Sequence, residues 1–117
     1  MILKPNGELV ASDIEFAEGI ISQSRGLMFR KSIAERYALV FILPSPRSVS
    51  VHMLFVFFPI DVVFLDDNKK ILATARLKPW IGLTQSPKKT KYIVEMHSGS
   101  IERCKLIPGE NLTMDLP

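Results

Sequence analysis

The sequence predicts a mainly β fold, either a β-sandwich or a partly open β-barrel, with one short helix. Three observations predict it. Apolar residues recur with a period of two in several short runs. Eight prolines and six glycines are spread along the 117 residues, so no run is long. Valine, isoleucine and phenylalanine fill the runs between these breakers.

Each element has its own reason. Residues 2–16 read as two or three short strands with a turn at Asn6-Gly7, a dipeptide in which both residues tolerate positive φ. Residues 18–28 read as the helix. Ile20, Ile21, Ser24 and Leu27 share a face, and Gly26 can end it in a left-handed conformation. Residues 38–43 are apolar on both strand faces and stop at Pro44-Ser45-Pro46. In 48–55, Val49, Val51 and Met53 alternate with Ser48, Ser50 and His52. Residues 60–65 are again apolar on both faces, the mark of a central strand covered on two sides. Asp66-Asp67-Asn68 then turns the chain. In 71–77, Ile71, Ala73, Ala75 and Leu77 form an inward face. Residues 79–89 read as a loop, and Tyr92, Val94 and Met96 as a further inward face. Residues 101–106 make one short helical turn, and 112–116 a last strand.

The hydrophobic fraction of 47% and charged fraction of 23% are those of a globular chain and exclude disorder. Residues 1–117 are expected to form a single domain. Cys104 is the sole cysteine, which excludes a disulfide scaffold and suits a reducing cytoplasm. The first residues are not expected to form a signal peptide, because the apolar start ends at Lys4-Pro5. The longest apolar region, 51–65, contains His52, Pro59 and Asp61 and falls short of the roughly 20 residues a membrane span needs. The expectation is a cytoplasmic protein with no membrane partner.

The net charge of +3 is segregated. Residues 1–68 carry −2, residues 69–105 carry +7 and residues 106–117 carry −2. The middle stretch can draw in phosphate or nucleic acid. It can equally be a set of lysines that keep turns and strand edges soluble, with Lys69, Lys70, Lys88, Lys89 and Lys91 as the members.

Several polar residues are out of place. Asp61 opens the most apolar strand, where a carboxylate needs a partner. Arg25 and Arg30 bracket the segment 26–29 and are natural partners for it, either as a structural pair or as an anchor for an anionic ligand. His52 and His97, with Met53, Met96 and Cys104, have no recognised metal-ligand spacing, so no metal or other cofactor is expected. Trp80 sits in a Pro/Gly loop, where a tryptophan either plugs the core or stacks on a ligand. No nucleophile elbow or phosphate loop is present, which leans the reading away from an enzyme.

One resemblance adds to this reading. The segments Arg25-Gly26-Leu27-Met28-Phe29-Arg30, His52 through Pro59-Ile60-Asp61 to Asp66, Leu77-Lys78-Pro79-Trp80 and Tyr92 through His97-Ser98-Gly99 occur in this order. Together they resemble the widespread prokaryotic family called domain of unknown function 192. The resemblance implies a mostly β fold of sandwich or partly opened barrel type, and it carries no activity, cofactor or ligand. Many relatives have tryptophan-methionine-lysine-asparagine where this chain has His52 to Val56.

The leading expectation is a non-enzymatic module that binds a small ligand or a peptide. Its pocket would be lined by Arg25, Met28, Asp61 and Trp80, with Arg30 and His52 as further candidates. Two alternatives stand beside it. One is nucleic-acid or phosphate binding through residues 69–105. The other is a hydrolase or isomerase that uses Asp61 and His52.

Overall fold

A computed structural model gives the fold and describes residues 1–18 and 27–117. The helix expected over 18–28 falls mainly on residues outside the described ones, as do Arg25 and Gly26. The described elements, in chain order, are β1 (Ile2–Leu3), β2 (Leu9–Ala11), β3 (Asp13–Glu18), β4 (Tyr37–Ile42), β5 (Ser50–His52), β6 (Ile60–Leu65), β7 (Ile71–Leu77), β8 (Leu83–Gln85), β9 (Tyr92–His97), α1 (Ser100–Cys104) and β10 (Thr113–Met114).

The centre is a five-stranded sheet in the order β3-β4-β9-β6-β7. β3 and β4 run parallel and every other pair is antiparallel. The inner strands are β4 and β6, the two runs that are apolar on both faces, with β9 between them, and all three are buried along almost their whole length. That is the expected outcome, because a central strand covered on both sides has no solvent face to carry polar residues.

Each face of the sheet has its own core. On one face, Ala38, Val40, Val63, Leu65, Val94 and Met96 pack against Ile2, Val10 and Met114 of a three-stranded sheet (β10-β1-β2) and against Ile101 of α1. On the other, Leu39, Phe41, Val62, Phe64 and Ile93 pack against Leu27, Ile33, Met53, Val56 and Val51 of β5. Full burial of each such side chain contributes about 1.5–3 kcal/mol, so the two cores dominate the favourable side of folding. The sheets layer on one another, and no barrel closes.

Three details depart from the sequence expectations. Residues 79–89 are not all loop: Leu83–Gln85 forms β8 and pairs antiparallel with β5. Three residues between Gly82 and Pro87 are too few to show periodicity. The strand expected over 48–55 is ordered as β5 only from Ser50 to His52, because Met53–Val56 closes a turn by a 3.0 Å hydrogen bond from Val56 N–H to Met53 C=O. The inward face of β7 is also split. A register shift opposite Phe64 and Leu65 sends Ile71 to the first core, while Ala73, Ala75 and Leu77 stay with the second. The turn at Asn6-Gly7 forms as expected, with Gly7 at φ 87° and the Asn6 side chain accepting the Glu8 N–H at 2.9 Å.

Candidate functional site

Three loops meet at the end of the sheet where β6 begins and β7 ends. They are residues 27–31, 53–59 and 78–82. Each is anchored from below and tied to its neighbours by backbone bonds. Leu27, Met53 and Val56 are fully buried in the second core. The Phe29 N–H donates to Phe55 C=O at 2.9 Å, the Trp80 N–H to Val56 C=O at 3.2 Å, and the Met53 N–H to Gly82 C=O at 3.0 Å. Gly82 is required for this closure. A Cβ there would lie 2.7 Å from the Lys78 carbonyl oxygen and 2.8 Å from Met53 Cγ.

The loops hold four aromatic rings in one contiguous face. Phe29 stacks on Phe55 at 5.1 Å between centroids, Phe55 meets Trp80 edge-on at 5.2 Å, Phe57 lies 5.5 Å from Trp80, and Phe29 meets Phe57 at 6.4 Å. Such pairs contribute about 0.5–1.5 kcal/mol each beyond simple burial. All four rings nevertheless face solvent: Phe29 is 67% exposed, and Trp80 and Phe57 are each 45% exposed. Leu54 and Ile81, their chain neighbours, are exposed as well.

Three of the four rings sit on left-handed backbone, Phe29 at φ 64°, Phe55 at 61° and Trp80 at 67°. A non-glycine residue pays on the order of 1 kcal/mol or more for that conformation. Three in one cluster mark a surface whose shape is imposed by the structure beneath it.

Arg30 anchors the first loop from the side. Its guanidinium donates to Glu15 Oε1 at 3.0 Å and to the Tyr37 hydroxyl at 3.2 Å, and it lies 5.3 Å from the Tyr37 ring centroid. Tyr37 donates in turn to the same Glu15 oxygen at 2.6 Å. The Tyr37 hydroxyl and the Arg30 guanidinium hold the Glu15 carboxyl below its usual range. Burial and the hydrogen bond to Glu15 push the Tyr37 phenol up. Arg30 thus pairs with Glu15, and its guanidinium makes no described bond to Asp61.

The remaining candidates fall elsewhere. Asp61 is fully buried on the opposite face of the sheet from the aromatic rings. Its neighbours Ile60 and Val62 belong to the second core, whereas its carboxylate points to α1. There Oδ2 accepts the backbone N–H of Gly99 at 3.1 Å and of Ile101 at 2.9 Å. His52 lies half-buried on β5, which covers the second core, so the central sheet separates it from Asp61. This geometry provides no acid–base pair from those two residues. Met28 is half-buried and packs against the second core. Asp61 and Trp80 share none of the described cavities.

Part of the basic stretch is engaged within the fold. Lys91 donates to the carbonyls of Leu43 and Pro44, Arg103 to the carbonyl of Val10, and Arg76 pairs with Glu102 at 3.5 Å. Lys89 lines a cavity of about 400 Å³ together with Asp66 and Asp67 at the far end of the sheet. Two smaller hollows of about 150–160 Å³ flank His97 and Ser98. None of these three cavities is lined by the four rings. Among the described residues no three His, Cys, Asp or Glu side chains converge as metal ligands. Cys104 is buried, its thiol 3.8 Å from the Leu9 carbonyl, and burial pushes its pKa up, away from reactivity.

Sequence reasoning singled out Trp80 in this face and passed over Phe29, Phe55 and Phe57. The signal was present in 54–58, five consecutive apolar residues bounded by a proline, a run that a two-sided strand and an exposed apolar loop share. It also passed over Glu95, which is fully buried at the centre of β9 between Leu39 and Val62. Neither of its carboxyl oxygens has a hydrogen-bond partner among the described residues, and burial raises its pKa to about 8.

Fold and site together define a small, layered, mainly β domain with a preformed aromatic face. The chain belongs to the DUF192 family, described as "Uncharacterized ACR", which it matches over residues 1–114. It is 39% identical over 115 residues to a UPF0127 protein of Pyrococcus furiosus, covering 96% of this chain and 95% of that one. It is 40% identical over 103 residues to a UPF0127 protein of Pyrococcus horikoshii, covering 86% and 85%. Two solved structures share its fold. A putative transcription regulator from Sinorhizobium meliloti superposes with a TM-score of 0.80 at 21% identity, over 96% of this chain and 88% of that one. A protein of unknown function from Novosphingobium aromaticivorans superposes with a TM-score of 0.82 at 20% identity, over 97% and 81%. Among the described residues no helix is long and apolar enough to cross a membrane.

Proposed function

We propose that this protein is a non-enzymatic binding domain, acting in the cytoplasm, that recognises its partner through the face formed by Phe29, Phe55, Phe57 and Trp80. One observation carries the reading: four solvent-facing rings in mutual contact, three of them on left-handed backbone. Strained backbone of this kind clusters at functional sites because the shape matters more there than local stability. Exposed apolar patches on folded domains mark interaction surfaces. Of the sequence candidates, Trp80 belongs to the face, while Met28 and Arg30 support its first loop. Lys91, Arg103 and Arg76 are engaged within the fold, which leaves fewer free cations for a nucleic-acid surface.

The test is a library of small aromatic and aliphatic fragments mapped by amide chemical shifts on the labelled protein. The reading requires hits to perturb Phe29, Phe55, Phe57 and Trp80 together. Hits confined to the cavities beside His97 or Asp66 would overturn it.

A further inference from the structure

The aromatic face has three properties that together narrow its partner. The first is that its apolar side chains project. Ile81 is 77% exposed and Phe29 67%, and neither lines a described cavity. A tightly held peptide or small ligand needs a groove that desolvates it from several sides, and this face offers only shallow contact. Projecting side chains need a soft apolar medium to enter.

The second property is charge. Residues 27–34, 53–59 and 78–87, which carry and flank the face, contain Arg30, Lys31 and Lys78 and not one carboxylate. The Arg30 charge is paired with Glu15, whereas Lys31 and Lys78 are both exposed. At these residues an approaching anionic surface meets the Lys31 and Lys78 cations, with the Glu15 charge beside them held by Arg30. Lysine beside tryptophan suits such a boundary, because the stem lies along apolar surface while the ammonium stays in the polar layer.

The third is rigidity. The loops are cross-tied by backbone bonds and set on left-handed residues, so the rings are presented before contact. Little ordering entropy remains to oppose docking.

Resting on the binding reading above, the geometry points to an anionic lipid bilayer as the partner. Phe29, Leu54, Trp80 and Ile81 enter the boundary between headgroups and acyl chains, and Lys31 and Lys78 lie over the headgroup charges. A membrane partner was not expected from the sequence, because no segment spans. Loop insertion does not need one.

The sole tryptophan makes the test direct, since all tryptophan emission reports on the face. The full chain is mixed with vesicles of phosphatidylcholine alone and with vesicles that also contain phosphatidylglycerol. The expected result is a blue shift of Trp80 emission and co-sedimentation with the anionic vesicles, both weakening as salt is raised. Ile81→Ser combined with Phe29→Ser should lower vesicle affinity at least about tenfold. Lys31→Glu with Lys78→Glu should remove the preference for anionic vesicles. Unchanged melting temperatures show that both variants fold.

Failure to bind either vesicle, equal binding to both, or binding indifferent to the apolar pair overturns the proposal. Emission already blue-shifted without lipid, in a dimer that Ile81→Ser dissociates, also overturns it and makes the occupant a second copy. If fragments map to the three loops while vesicles do not bind, the binding reading stands and the lipid partner falls.

Discussion

The Asp61 carboxylate on β6 holds the backbone N–H of Ile101 at 2.9 Å, forty residues away in sequence. The same oxygen takes the Gly99 N–H at 3.1 Å. These bonds fasten the start of α1 to the beginning of β6, and they satisfy donors that would otherwise be orphaned at a helix start. Asp61→Ala should therefore cost about 2–4 kcal/mol, because two bonds to a charged acceptor are lost inside a core. Asp61→Asn keeps an acceptor and should cost roughly half as much. Urea unfolding of the three proteins checks both values, and equal costs would show that the charge contributes nothing.

Glu95 makes stability depend on pH in the neutral range. Its carboxyl releases its proton near pH 4.5 in the unfolded chain and at about pH 8 in the folded one. Between those values the folded state binds more protons, so stability falls as pH rises. By pH 7 the loss is on the order of 3 kcal/mol. Thermal unfolding of the wild type should show a falling melting temperature from pH 5 to 8. Glu95→Gln should flatten that slope, and Glu95→Met should flatten it and raise stability at pH 7, because no unpaired carboxyl remains in the core. A slope that survives both substitutions places its origin elsewhere.

The layered β architecture was legible because strand periodicity is a local signal. The strands at 60–65 and 71–77 could be read to the residue, since turn residues stop them at Asp66-Asp67-Asn68 and at Pro79. Partner choice was not legible. Asp61 stood out as needing a partner, and two arginines were in view; its partner among the described residues is the backbone at the start of a helix far along the chain, and Arg25 lies outside those residues. Arg30 found Glu15 because β3 and β4 run parallel, setting Glu15 beside Leu39 and two residues from the Tyr37 register. The aromatic face escaped for a related reason: Phe55 and Phe57 look like strand residues, and only the turn at Met53–Val56 throws them outward.

Gly82 sets the limits of the third loop. Its backbone lies against Lys78, Met53 and Leu77 with no room for a methyl group. Gly82→Ala should cost about 1–3 kcal/mol by overpacking. The loop must shift to relieve the contact, so Trp80 should separate from Phe55 and its emission should change even where the protein remains folded. Melting temperature and tryptophan emission, measured together, decide this. A destabilised variant with unchanged emission would show that the strain is absorbed beneath Met53 and leaves the face intact.

Glu15 should shape the acid side of the stability profile in the opposite sense to Glu95. Its carboxyl is held below the usual range by the Tyr37 hydroxyl first and by Arg30 second. The stability this gives is present above the unfolded value of 4.5 and is lost as pH falls through the lower folded value. The Arg30–Glu15 pair is largely solvent-facing, with 35% and 55% of the two side chains exposed, so Arg30→Ala should cost no more than about 1 kcal/mol. Tyr37→Phe removes a short bond to a charged acceptor and should cost about 1–2 kcal/mol at pH 7. In Tyr37→Phe the acid limb below pH 4.5 should become shallower while the fall toward pH 8 remains. In Glu95→Gln the reverse should hold. Melting temperatures of the two single variants and the double variant across this range separate the two contributions and measure any coupling between them, since Glu95 lies opposite Leu39, two residues from Tyr37 on the same strand face. A Tyr37→Phe variant that keeps the full acid limb would show that Glu15 is not the carboxyl responsible.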